Sequence, residues 1–150
     1  MHNLLIALGA ALSCCAAAVL YSKDVTAAAA ATPLVTTAET VVGLGAALTV
    51  ETTTCKCAVR GFATLTVGTN TTAVTARLYR GTTAAGTLIG SAIAQAGNFV
   101  AGSPAQFMVE ATDPLTNAGA AQYCMTLQQT AASANGSCTT CVITTEVLSG

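Results

Sequence analysis

The sequence has 150 residues, is 53% hydrophobic and only 7% charged, and carries a formal net charge of −1. Five Lys and Arg residues cannot build the basic stripe that nucleic acid requires, and the apolar content excludes a disordered chain. So few charges favour association, so the surface is expected to be used up in contacts with other subunits.

Residues 4 to 21 read LLIALGAALSCCAAAVLY, with no charge before Lys23. About 18 apolar residues lie at the lower edge for a membrane-spanning helix. The stretch also resembles the apolar region of a secretory signal, although His2 and Asn3 supply no Lys or Arg ahead of it. The expectation is a retained apolar helix or anchor over residues 1–24, in contact with a membrane or packed between subunits. Cys14 and Cys15 inside it then act as small buried hydrophobes. Pro33 and the surrounding Thr and Val break the alanine-rich stretch that follows. Residues 25–37 are therefore expected as a linker or extended arm, handing over to a domain at 38–150.

From residue 38 the apolar period becomes two. AALTVETTT sets Leu48 and Val50 on one face against Thr49 and Glu51. CAVRGFATLTVG follows, with Phe62 and Leu65 expected toward a core. TAVTARLYRG sets Val74, Ala76, Leu78 and Arg80 against Thr75, Arg77 and Tyr79. GTLIGSAIAQ, AQFMVEAT, AQYCMTLQQT and CVITTEVLSG complete the set. The breaks are rich in Gly, Asn, Asp and Pro. RGTTAAG reads as a hairpin or inter-sheet turn, Asp113-Pro114 as a turn, and Asn135-Gly136 as the strongest hairpin signal. About eight strands in about 110 residues predict an all-β antiparallel sandwich, a two-sheet jelly roll. No helical crossover separates the strands, which excludes a parallel sheet.

Chemistry is sparse. His2 is the only histidine, so a nucleophile–base pair would have to recruit the N-terminal tail. The carboxylates Asp24, Glu39, Glu51, Glu110, Asp113 and Glu146 are scattered. Glu51 and Glu110 could meet across strands, but they are expected on solvated strand faces. No cofactor motif is present, and the two glycines of RGTTAAG lack the lysine and helix of a phosphate loop. A structural role is expected, not an enzymatic one.

The cysteines admit three readings. Cys55, Cys57, Cys138 and Cys141 supply four thiolates, the number a tetrahedral zinc site needs. Cys138-x-x-Cys141 precedes a strand, whereas thiol–disulfide oxidoreductases open a helix with that spacing. Disulfides are the favoured reading. Cys55 and Cys57 are expected as staple points on two faces of a sheet, one reaching Cys138 or Cys141 and the other Cys124. A bridge of that kind closes a loop of about 84 residues and contributes ~4 kcal/mol in the chain-entropy account. Free buried thiols are the third reading.

The order of VTARLYRGTTAAGTLIGSA, DPLTNAGAAQYCMTLQQT and CVITTEVLSG resembles the small jelly-roll modules of phage virions, over roughly residues 45 to 150. That family has a tumour-necrosis-factor-like topology and serves as capsid decoration (cement) proteins, spikes and fibre heads, often as trimers. The resemblance implies a virion structural protein on a capsid surface or vertex. Its partners would be copies of itself, as a trimer, and major capsid or other virion proteins. Two alternatives differ in class. One is a pilin-like subunit of a cell-surface filament, but MHNLLI supplies neither a processing site nor an early glutamate. The other is a secreted or surface binding module, which needs a denser aromatic cluster than this chain holds.

Overall fold

The computed structural model describes residues 19–27, 34–50, 55–68, 73–92, 99–115, 119–129 and 136–149. Among them every regular element is a strand: β1 (Val19–Ala27), β2 (Leu34–Val35), β3 (Thr40–Leu44), β4 (Leu48–Val50), β5 (Cys55–Thr66), β6 (Val74–Arg80), β7 (Thr87–Ala92), β8 (Pro104–Leu115), β9 (Gly119–Ala121), β10 (Tyr123–Gln129) and β11 (Gly136–Ser149).

The pairing is nested. β1 pairs with β11, β3 with β10, β5 with β8, and β6 with β7, all antiparallel. The chain is therefore a long antiparallel ribbon rolled up on itself. Two further pairings, β5 with β11 and β6 with β10, close the roll into sheets of order β1-β11-β5-β8 and β3-β10-β6-β7. This is a jelly roll, and its eight principal strands match the expected number. β2 extends the first sheet beside β11, and β4 with β9 forms a separate two-stranded sheet.

Alternation decides which side chains meet between the sheets. On β5 the odd positions are buried from Cys55 to Leu65 and the even ones partly or fully exposed. Leu65, Leu78, Tyr123, Met125, Leu127 and Ile143 are the largest apolar side chains fully enclosed between the layers. Gly61 occupies one inward position of β5. A Cβ there would lie 2.9 Å from both Leu78 Cδ2 and Met125 Sδ, so a side chain at this position would require those two side chains to shift. RGTTAAG forms the β6–β7 hairpin, with Arg80 facing Thr87 in register. Gly86 donates to the Thr83 carbonyl at 3.0 Å. A Cβ on Gly86 would stand 2.3 Å from the Arg80 carbonyl, which reserves the position for glycine.

Four expectations change. Residues 19–24, assigned to an apolar helix, form β1 together with 25–27 of the expected linker or extended arm; Val, Tyr and Thr here favour strand, and β11 supplies the partner. Residues 1–18 of the expected anchor lie outside the described residues, and among those described no helix is long and apolar enough to cross a membrane. Phe62 sits on the outward parity of β5, opposite to Leu65, and is only half-buried. Gly136 begins β11, but β10 and β11 belong to different sheets, so Asn135-Gly136 does not join a hairpin; Asn135 itself lies outside the described residues. Asp113-Pro114 is not a turn. Both residues are inside β8, opposite Cys57 and Lys56. β8 is the last strand of its sheet, where a missing N–H can be tolerated.

Candidate functional site

Two polar clusters and two sheet faces hold the chemistry of this fold. The first cluster lies between the sheets. Asp113 shares the inward parity of β8 with Phe107, Val109 and Leu115, so its carboxylate is buried. The Tyr123 hydroxyl donates to Asp113 Oδ2 at 3.0 Å. The Arg80 guanidinium donates to both carboxylate oxygens, at 3.2 and 3.3 Å. Tyr123 and Arg80 face each other across β10 and β6, so this one carboxylate ties the two sheets together. Burial pushes the Tyr123 hydroxyl far above its ordinary value, and its contact with Cys57 adds to the effect. A phenol held protonated in this way donates and does not act as a base.

The second cluster lies on the outer face of the four-stranded sheet. Glu39, just before β3, accepts at Oε1 from Tyr79 Oη at 2.8 Å and Thr126 Oγ1 at 2.6 Å. Arg77 Nη1 stands 3.4 Å from the same oxygen and donates to Gln128 Oε1 at 3.0 Å. Burial favours the neutral Glu39 acid. The hydrogen bonds from Thr126 and Tyr79 and the Arg77 charge outweigh it and hold the carboxyl below its ordinary range. Tyr79 moves upward, through burial and its bond to Glu39.

The cysteines fall into separate places. Residues two apart on a strand share a face, so Cys55 and Cys57 both point into the core and do not staple two faces. A register shift between Cys138 and Thr140 does the same for the other pair, leaving Cys138 opposite Leu65 and Cys141 opposite Ala63, both inward positions. The two pairs sit at opposite ends of β5. Six residues of β11 separate Cys141 from Val147, the partner of Cys57, or about 20 Å at ~3.3 Å per residue. A disulfide spans at most ~7 Å between Cα atoms, so this register admits no bridge between the pairs and no zinc site that uses both. Among the described residues no three His, Cys, Asp or Glu side chains converge as metal ligands. Cys124 is buried on the outer face of the other sheet, beside Tyr79 and Leu44. Burial raises Cys57 and Cys138, and it pushes Cys124 up to about 11 and Cys141 up to about 12. Such thiols stay protonated and pack as small hydrophobes, with Cys141 Sγ 3.8 Å from Met125 Sδ.

The outer face of the other sheet carries an open ion pair, Arg60 to Glu110 at 3.0 Å, at the side of a shallow dish floored by Ala58 and Thr112. Glu110 thus meets Arg60 across β5 and β8, while Glu51 lies outside the described residues. The sequence reading missed both clusters. Asp113 carried a usable signal, because it keeps the core parity of Phe107 and Val109. Glu39 and Thr126, 87 residues apart, carried none.

Fold and clusters together define a jelly-roll module with its polar groups hydrogen-bonded between the sheets and on the outer face of the four-stranded sheet. No protein-family model matches the sequence, and no curated protein matches it. In fold, the chain is similar to a chain in the structure of infectious bursal disease virus, Gx strain, with a TM-score of 0.50 and 11% identity over 88% of this chain. A chain from the Gt strain of that virus matches with a TM-score of 0.48 and 13% identity over 87%. This chain spans about a third of those chains, 33% and 35%.

Proposed function

We propose that this chain is a structural component of a virus particle, a decoration or spike module that stabilises the shell through contacts with copies of itself and with other virion proteins. The observation that carries the reading is the nested eight-strand order, β1-β11-β5-β8 against β3-β10-β6-β7, in a chain with 7% charged residues. Such a sandwich offers flat, sparsely charged faces for subunit contact. The fold similarity to a chain of a virus structure supports the virion reading. The assignment to phage rests on the sequence resemblance alone.

The test is where the protein sits. Quantitative mass spectrometry of purified particles is expected to find it at a fixed copy number per shell, and the isolated protein is expected to bind shells that lack it. A stable monomer with no affinity for any shell overturns the proposal.

A further inference from the structure

The N-terminal strand and the segment that follows it are held differently. From Val35 onward the crossing between the sheets is pinned to its own copy. Gln129 donates from its backbone N–H to the Thr36 carbonyl at 2.9 Å and from Nε2 to the Val35 carbonyl at 2.6 Å. Gln128 Nε2 donates to the Thr37 carbonyl at 2.9 Å, and Glu39 closes the segment against Tyr79 and Thr126. β1 stands outside that pinning. It is the end strand of its sheet, and its backbone pairs with β11 alone, through eight register pairs that run from Val19 opposite Leu148 to Ala27 opposite Cys141. Without β1, β11 keeps β5 on its other side, and both pairings that close the roll remain.

We propose that β1 is an exchangeable strand, and that in an assembly it pairs with β11 of a second copy of this chain. The partner follows from the register. A second copy carries the identical strand, so all eight pairs re-form and no new contact is needed. The length of the connection permits it. Ala27 and Leu34 lie opposite Cys141 and Ser137 of β11, whose own partners on β5, Ala63 and Thr66, are three residues apart, about 10 Å at ~3.3 Å per residue. The seven chain steps from Ala27 to Leu34 reach about 23 Å when extended. The connection is thus more than twice as long as pairing within one copy requires. The surplus lets β1 cross to a neighbour while Leu34 and Val35 stay on their own β11.

Concentration decides between the two pairings. Because the same pairs form either way, only the short connection favours closure within one copy, and it acts as a local concentration of about 1 mM. A dilute chain therefore keeps its own β1. Copies held side by side in a particle reach that concentration, and exchange then ties neighbours together without losing a pair. An exchanged β1 also carries the apolar residues 4–18 ahead of it to the neighbouring copy, the between-subunit placement expected from the sequence. The inference rests on the virion reading in supposing that copies assemble, and it adds how they are joined.

Two single variants of the full chain, Asp24→Cys and an isotope-labelled Thr144→Cys, test it, because positions 24 and 144 are register partners. They are refolded together from urea over a concentration series and oxidised with glutathione disulfide, and peptide mass spectrometry maps the bonds. The expected result is a disulfide joining position 24 of one chain to position 144 of the other, its yield rising at least about tenfold between about 10 μM and about 1 mM. Thr140→Cys, off that register, is expected not to replace Thr144→Cys. A double variant carrying both changes is expected to close the bond within one chain when dilute. Ser22→Cys with Glu146→Cys, also register partners, serves if the first pair does not fold. If sedimentation velocity shows that copies associate but the bond forms only inside the double variant, exchange is overturned while self-assembly and the virion reading stand. If the chain stays monomeric throughout the series, exchange is overturned too, and binding of that monomer to shells decides the virion reading separately.

Discussion

Replacing Asp113 with alanine removes the one carboxylate that joins β8 to β6 and β10. The Tyr123 hydroxyl, bonded to Asp113 at 3.0 Å in a residue only 1% exposed, would lose its carboxylate acceptor where water cannot replace it and keep only its weak contact with the Cys57 thiol. An unsatisfied buried hydroxyl costs about 1 to 3 kcal/mol. Arg80 loses the same partner but is 36% exposed, so it recovers hydration and adds less than about 1 kcal/mol. The expected destabilisation is about 2 to 3 kcal/mol, or a fall in Tm of about 6 to 9 °C at ~3 °C per kcal/mol for a chain of this size. Tyr123→Phe should cost only about 1 kcal/mol, because Asp113 keeps Arg80. The two changes together should cost less than their sum, because Tyr123→Phe removes the hydroxyl that Asp113→Ala strands. Urea unfolding followed by far-UV circular dichroism measures all three, the sequence having no tryptophan to report by fluorescence. An Asp113→Ala variant within about 0.5 kcal/mol of wild type would refute the reasoning, since that is the range of surface substitutions.

Two other outcomes follow from the same geometry. The Glu39 carboxyl is held below its ordinary range, so its contribution is fully present above the unfolded-state value of 4.5 and is lost as pH falls through the lower folded value. The urea midpoint should drop on acidification below about pH 4.5, and Glu39→Gln should flatten that part of the curve; a variant with the wild-type slope speaks against the network. Cys124 and Cys141, pushed up to about 11 and about 12, should resist alkylation at pH 8 in the native state and react fully in denaturant. Peptide mass spectrometry reads this directly, and rapid native labelling of Cys141 contradicts its burial.

Period-two alternation, β-branched residues and glycine-bearing turns are local properties, and they sufficed for the class of fold. They placed Leu48 and Val50 together, Val74, Ala76 and Leu78 on the inward face of β6, and the hairpin at RGTTAAG. Parity should also have placed Cys55 and Cys57 on one face, since residues two apart on a strand share a side, and the expectation of staple points on two faces departed from it. What the sequence could not supply is which strands meet. Register between β5 and β11 sets Cys141 about 20 Å from Cys57, which ends the bridge that spacing in the chain had suggested. The same register sets Asp113 against Cys57 inside a strand where Asp-Pro reads locally as a turn. Glu39 meets Thr126 only because β3 pairs with β10. Long-range pairing in a rolled antiparallel ribbon joins residues scores of positions apart, and no local pattern encodes the partner. The sequence by itself determined an all-β, sparsely charged sandwich. The tertiary structure decided which thiols stay apart and which carboxylates are buried, because long-range strand pairing sets both.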